Sequence, residues 1–262
     1  MSDFDAYFKR LGIDPSKPSL ELVNDLIREH IAQFSFNSIS VLLKHHVSLE
    51  ISDIYKKIVL EGRGGYCFEH NRLMHDVLAS LGFKVRLLVA KVINNTDIDS
   101  PRTHRVTLLE WEGENYLVDV GFGPKGLRGA IKIENGFESA QNMASYRISI
   151  NKYNDYQLEI ATDDGYFSLY MFNFHRYTEA DCIMGNFYSY MHPNAVFVNN
   201  LVLSRILPDM TLSLRNGVYH RIGNDKTDVI EITTQPQLKA IIEDDFGITL
   251  TDAECDILFE KV

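Results

Sequence analysis

The chain has 262 residues, with 26 Lys and Arg against 36 Asp and Glu for a formal net charge of −10, and 45% of it is apolar and 24% charged. That composition is ordinary for a globular protein and excludes a disordered tail, a collagen and a disulfide scaffold. The acidic balance argues against a general nucleic-acid binder, which needs a basic face to displace counterions. Three cysteines, Cys67, Cys182 and Cys255, make no disulfide framework and fit a reducing compartment. The N-terminal stretch Met1 to Lys9 is charged and carries no apolar leader core. No run approaches the roughly 18 apolar residues that span a bilayer, so the sequence reads as soluble and cytoplasmic, with no membrane partner.

Texture changes along the chain. Residues 1 to about 83 read as helices. Ser19 caps a segment whose Leu20, Val23, Leu26, Ile27 and Ile31 follow helical spacing. A second helix is predicted over about 50–60, with Ile51, Ile54, Tyr55 and Ile58 on one face, and a third from near Gly65 to a C-terminal cap at Gly82. From Lys84 the pattern turns to strands. Val85–Val92 is a buried strand, and Arg105–Trp111 with Tyr116–Val120 flank a hairpin turn at Glu112–Asn115. Tyr146–Ile150, Tyr156–Ala161 and Tyr166–Phe172 add strands, enough for a small sheet or barrel. The tail from about 180 is mixed. Val196–Ile206, Thr211–Arg215, Gly217–Ile222 and Val229–Thr233 read as strands, Gln235–Phe246 as a helix, and Thr251-Asp-Ala-Glu as the capping box of a last helix.

The stretch that carries chemistry is Glu61-Gly-Arg-Gly-Gly-Tyr-Cys-Phe-Glu-His-Asn71. Its glycines permit a tight approach to the third helix and put Cys67 in the first turn. Orphan amides and the positive end of the helix dipole there favour a thiolate, which makes Cys67 a candidate nucleophile. The bland alternative is a small buried hydrophobe, and Cys182 and Cys255, without such a context, are left as core or surface cysteines. Cys67 and His70 lack a second ligand pair, so no metal is expected. A thiol nucleophile needs a base and an orienting group. His104 precedes the first strand of the hairpin, and Asp119 lies in its second, an apolar run where an unpaired carboxylate is costly. With Gly113 and Glu114 as the turn, Leu108 lies opposite Asp119 and His104 opposite Gly123. His104 and Asp119 then share a face but stand about 13 Å apart, so contact requires a bulge or an inward turn at His104. His70, three positions from Cys67 on one helix, is the competing base.

Arg63-Gly-Gly-Tyr-Cys-Phe-Glu-His-Asn71 resembles the Arg-Gly-Gly-x-Cys-x-Glu-x-Asn signature of the arylamine N-acetyltransferases. Thr103-His-Arg-Val-Thr-Leu-Leu109 and Tyr116-Leu-Val-Asp-Val-Gly-Phe-Gly123 resemble that family's histidine and aspartate segments, Tyr7–Gly12 its first helix, and Phe246-Gly-Ile-Thr-Leu250 a segment near its C-terminus. The resemblance implies an α+β fold with a papain-like cysteine-enzyme core: a helical domain (1–83) carrying the nucleophile, a β-barrel domain (84–180) carrying His104 and Asp119, and an α/β lid (181–262). It implies that Cys67 takes an acetyl group from acetyl-CoA, that His104 is the base and Asp119 its orienting partner, and that an aromatic amine, hydrazine or hydroxylamine then takes the acetyl group, a chemistry of xenobiotic metabolism. Phe122 is placed to line an aryl pocket, with Thr103, Phe36 and Phe68 as further substrate-binding candidates.

Three segments depart from the family pattern. Ser35-Phe-Asn-Ser38 stands where Pro-Phe-Glu-Asn is common. The lid segment Asn186–Ala195 carries Tyr190, Met191 and Ala195 in place of small hydroxyls, and Gly123–Arg128 is unusually basic. The altered lid leaves open an amide synthase of the same fold with a carrier-bound acyl donor. A cysteine-dependent thioester hydrolase and a non-catalytic binding module are further alternatives. Oligomeric state and physiological acceptor are not assigned from the sequence.

Overall fold

The structure is a computed structural model describing residues 4–15, 17–96 and 99–262, so Met1–Asp3 of the charged N-terminal stretch lie outside the described residues. Helix α1 (Asp5–Leu11) ends at Gly12, whose φ of +67° lets its N–H return to the Lys9 carbonyl. Helix α2 (Leu20–Gln33) starts as predicted, with Ser19 Oγ accepting the Leu22 N–H at 3.0 Å. A two-residue strand β1 (Phe36–Asn37) and a short helix α3 (Ile39–Leu42) follow. The predicted 50–60 helix is α4 (Ile51–Tyr55) running into a π-helical turn (Lys56–Leu60). Helix α5 (Cys67–Ser80) begins on the cysteine itself, and Gly82 sits just beyond its end with φ +85°. Val23, Leu26 and Ile27 of α2 and Leu73, Met74 and Val77 of α5 share one core, joined from the strands by Leu109 and Val118. Burial of these side chains, each worth about 1.5–3 kcal/mol, holds α5 against the hairpin.

An eight-stranded antiparallel sheet comes next. Its strands are β2 (Lys84–Val92), β3 (His104–Trp111), β4 (Glu114–Val118), β5 (Ile131–Lys132), β6 (Glu138–Gln141), β7 (Ala144–Ile150), β8 (Tyr156–Thr162) and β9 (Gly165–Phe172), in the order β5-β4-β3-β2-β9-β8-β7-β6. Leu117 from one wing and Tyr146 and Ile148 from the other meet in one core with Leu88, Val106 and Phe172, so the sheet is curled into a barrel. The β3–β4 register corrects the predicted one. Trp111 pairs with Glu114, and the turn is Glu112-Gly113, with φ +51° and +83°, rather than Gly113-Glu114. Positive φ at both central residues is the twist-matched hairpin turn. It moves every pairing by two residues and so preserves which side chains share a face.

The final region contains α6 (Glu179–Met191), α7 (Val196–Asn199), β10 (Val202–Ile206), β11 (Met210–Arg215), β12 (Val218–Gly223), β13 (Thr227–Glu231), α8 (Gln235–Asp244) and α9 (Asp252–Phe259). The run 196–206, expected as one strand, is split between α7 and β10. At the start of α9 the capping box forms, with Thr251 Oγ1 accepting the Glu254 N–H at 3.2 Å. The five-stranded sheet has the order β1-β10-β11-β12-β13, so its edge strand comes from residues 36–37. Ile39 and Leu42 likewise pack with Leu203, Leu214, Leu238 and Phe246. Among the described residues no helix is long and apolar enough to cross a membrane.

Candidate active site

The approach to α5 is built by backbone contact. Gly64 has φ +62°, and a Cβ there would lie 2.1 Å from the Ser35 carbonyl oxygen, so only glycine fits. Beside it, Asn37 N–H donates to the Gly65 carbonyl at 2.6 Å and Asn37 Nδ2 to the Arg63 carbonyl at 3.0 Å. Arg63 reaches the Thr249 carbonyl and Glu254, tying the loop to the C-terminal segment. Glu69 Oε2 accepts the Tyr66 N–H at 3.1 Å, and its other oxygen pairs with Lys57 at 2.7 Å. These contacts deliver Cys67 at the helix start, buried at 3% exposure among Tyr66, Phe68, Leu87, Val89 and Cys182.

His104 and Asp119, both buried, meet directly: His104 Nε2 lies 2.7 Å from Asp119 Oδ2. The two-residue change of register is what closes the gap. Continued past Val118, the pairing sets Asp119 opposite Val106, two positions from His104 instead of four, a distance that two inward side chains span. Asp119 lies one residue beyond the end of β4, where Gly121 passes over α5; a Cβ on Gly121 would stand 2.8 Å from Cys67 Cα and 2.8 Å from Asn71 Nδ2. That crossing joins the nucleophile helix to the hairpin. Asp119 takes Nε2 of the imidazole, so the Nδ1 edge is the one left for chemistry. On the other side, Cys67 Sγ lies 3.6 Å from the Thr103 carbonyl, the residue next to His104.

Asp119 accepts three further hydrogen bonds, from Asn71 Nδ2 at 2.8 Å, the Tyr170 hydroxyl at 2.9 Å and the Gly121 N–H at 2.9 Å. Burial pulls its carboxyl up, but the His104 charge and the bonds from His104, Asn71 and Gly121 outweigh this and hold it below the ordinary carboxylate range. Burial and the Asp119 charge keep the Tyr170 hydroxyl protonated, hence a donor. Cys67 departs from the expected thiolate. Burial pushes its thiol up and the Asp119 charge adds to the effect, while the N–H groups of Phe68 and Arg105 act the other way. The helix amides are present but do not win, so burial and Asp119 favour the neutral thiol.

Of the other candidates, Phe122 packs edge-on to His104 with centroids 5.2 Å apart and against Tyr170 at 5.2 Å. Phe36 lies stacked at 6.4 Å on His70 and packs edge-on to Phe197. Phe68 is fully buried beneath α6, and Thr103 contributes its carbonyl. His70 turns away from the sulfur: its Nδ1 meets His30 Nε2 at 2.8 Å and its Nε2 faces the Ser35 carbonyl at 3.3 Å. Asn71 and Tyr170 went unread in the sequence. Asn71, four residues after Cys67 and so on the same helix face, carried a usable signal, whereas Tyr170 reaches Asp119 from a strand 51 residues away. Among the described residues no group of three His, Cys, Asp or Glu side chains could hold a metal ion.

Residues 19–255 match the family model described as N-acetyltransferase, which spans most of the chain. This chain belongs to the arylamine N-acetyltransferase family. It is 31% identical to the arylamine N-acetyltransferase of Escherichia coli (strain K12) over 254 residues, covering 95% of this chain and 89% of the relative. The arylamine N-acetyltransferase / N-hydroxyarylamine O-acetyltransferase of Salmonella typhimurium is 30% identical over 95% of this chain and 90% of its own. The solved Salmonella typhimurium structure superposes with a TM-score of 0.94 over 100% of both chains at 29% identity. The Mycobacterium marinum enzyme in complex with CoA superposes at 0.93 over 99% of both chains at 26% identity. The fold of the family, helices, barrel and α/β lid, is the fold of this chain, and the protein is an acyltransferase.

Proposed function

We propose that this acyltransferase moves an acetyl group from acetyl-CoA to an aromatic amine, hydrazine or hydroxylamine through a Cys67 acyl-thioester. The observation that carries the reading is the buried His104–Asp119 contact of 2.7 Å beside a cysteine whose sulfur lies 3.6 Å from the Thr103 carbonyl. Asp119 holds Nε2, so Nδ1 of His104 takes the thiol proton as Sγ attacks the thioester carbonyl. The tetrahedral intermediate collapses by breaking the bond to the CoA sulfur, which leaves with the proton held on His104. An amine then attacks the acyl-enzyme, gives its proton to Nδ1, and expels the Cys67 sulfur. Exchanging thioester for thioester costs little free energy, and amide formation drives the second half. Phe122, edge-on to His104, supplies an aromatic wall where an aryl acceptor would lie. Three free cysteines, one of them the nucleophile, suit a reducing cytoplasm.

The test is an intact mass with peptide mapping after incubation with acetyl-CoA and no amine. One acetyl group on Cys67, absent in Cys67→Ala and discharged by an aromatic amine, is the expected result. An unmodified Cys67 that still reacts with an alkylating agent refutes acetyl-CoA as donor and points to a carrier-bound acyl thioester. CoA release at the same rate with and without amine refutes transfer in favour of hydrolysis.

A further inference from the structure

Arg105 follows the base in β3, and its side chain is completely buried. A buried guanidinium is costly unless a carboxylate answers it. Glu179, the first residue of α6, answers it with both oxygens, at 2.7 and 3.0 Å from Nη1 and Nη2. The same carboxylate takes Arg72 Nη1 of α5 at 2.7 Å, and Arg72 Nε is held by Asp76 at 2.8 Å. One carboxylate on the lid helix thus bridges the helix of Cys67 and the strand of His104. The Arg105 peptide is itself part of the site: its carbonyl accepts Asn71 Nδ2 at 2.6 Å on the helix of Cys67, and its N–H is one of the groups that pull the Cys67 thiol down against burial. Behind the bridge, α6 lies on the nucleophile segment. A Cβ on Gly185 would come 2.7 Å from Phe68 Cζ, and Asn186 accepts the Tyr66 hydroxyl.

We propose that Glu179 is a positioning residue for acyl transfer: by gripping Arg105 and Arg72 together it sets the distance from the Cys67 sulfur to the His104 strand and its amide. This rests on the acyl-transfer reading above. Among the described residues, the charged and titratable groups that act on the sulfur are Asp119 beyond β4, Cys182 of α6 and Tyr66 at its own helix start, with His104 of β3 held on Asp119. Around Glu179 they are Arg105, Arg72 and the Cys182 thiol. Loss of the carboxylate leaves Arg105 buried without a counter-charge. With the carboxylate no longer tying β3 to α5, the Arg105 peptide moves off Asn71 and the Cys67 helix, with or without the guanidinium.

The experiment measures the rate of Cys67 alkylation by iodoacetamide against pH, with peptide mapping, in the wild type and Glu179→Gln. The alkylation midpoint is expected to rise by about one pH unit, and acetylation of Cys67 by acetyl-CoA to slow about tenfold to a hundredfold. The sign is diagnostic, because removing a negative charge through space alone lowers a nearby thiol. A coincident or downward-shifted profile overturns the proposal. The double variant Arg105→Met/Glu179→Met, which replaces the pair by apolar groups, is expected to melt near the wild type yet keep the raised midpoint and slow acetylation; a wild-type profile there also overturns it. Iodoacetamide needs no donor site, so a failed donor and a failed positioning role give different results.

Discussion

Acid should weaken this fold through a pair of buried histidines bonded to each other. Tyr7 hydroxyl, His30 and His70 form a buried chain, with 3.0 Å from the hydroxyl to His30 Nδ1 and 2.8 Å from His30 Nε2 to His70 Nδ1, ending on the Ser35 carbonyl. The carbonyl only accepts, so His70 Nε2 carries its proton, His70 Nδ1 accepts from His30 Nε2–H, and Tyr7 donates to His30 Nδ1. Every position is filled with both rings neutral, and a further proton has no place. Burial accordingly pushes His70 down to about 4 and holds His30 well below the ordinary value of 6.5, with the His70 charge adding to the latter. Above pH 6.5 neither state binds the proton. Between there and pH 4 the unfolded chain binds it and the native chain does not, so stability falls with pH across that window. From these two values, His70 alone costs about 2 kcal/mol by pH 5 and about 3 kcal/mol once pH is below 4. Urea unfolding midpoints at pH 7.5, 6 and 5 measure this in the wild type and in His70→Gln, whose amide can accept from His30 and donate to Ser35. The wild type should lose about 2 kcal/mol more than the variant between pH 7.5 and 5. Parallel losses in the two proteins refute the argument.

Asp119→Asn keeps the shape but removes the charge beside the imidazole, so acetyl transfer should fall about a thousandfold or more, measured as CoA release in the presence of an aromatic amine. Tyr170→Phe removes one of four hydrogen bonds to Asp119. The carboxylate then binds the imidazolium more strongly, and the acid limb of the pH–rate profile should move upward while unfolding shifts by only about 1 kcal/mol. Gly121→Ala drives a methyl into Cys67 and Asn71 at 2.8 Å. It should cost about 1–3 kcal/mol in urea unfolding and abolish acylation of Cys67.

What the sequence disclosed follows from how local each cause is. Ser19, Gly82 and the Thr251 box act within one turn, and the helices they bound start or stop at or beside those residues. The strand β1 has only two residues, and its pairing with β10 and Gly65 comes from across the fold, so no periodicity announces it. The hairpin is intermediate: both strands were readable, but their register turned on which two residues of Glu112–Asn115 take positive φ. That choice decided whether His104 and Asp119 stood four positions apart or two. Arg105 was legible as a charge in an apolar strand, an anomaly of the same kind as Asp119, but its partner Glu179 lies 74 residues on.

The thiolate expected at Cys67 gives way to a raised thiol for a reason of magnitude. A helix start is worth a few tenths to about 2 kcal/mol to a nearby anion, and the sequence displays that term through the glycines and the helical pattern. Taking a charge out of water costs several kcal/mol, and that term is set largely by Leu87 and Val89 of β2 and Cys182 of α6, which two other elements bring in. The larger effect is the invisible one, and it leaves a neutral thiol at rest. A neutral thiol is a poor nucleophile, so the reactivity of this cysteine depends on the proton acceptor beside it. In that role His104 depends on Asp119 holding Nε2, and Asp119 stays ionised despite its burial because of the His104 charge and the hydrogen bonds from His104, Asn71 and the Gly121 amide. In the acyl-transfer reading proposed here, the nucleophile is therefore a property of the helix-to-hairpin crossing at Gly121 rather than of the helix end alone.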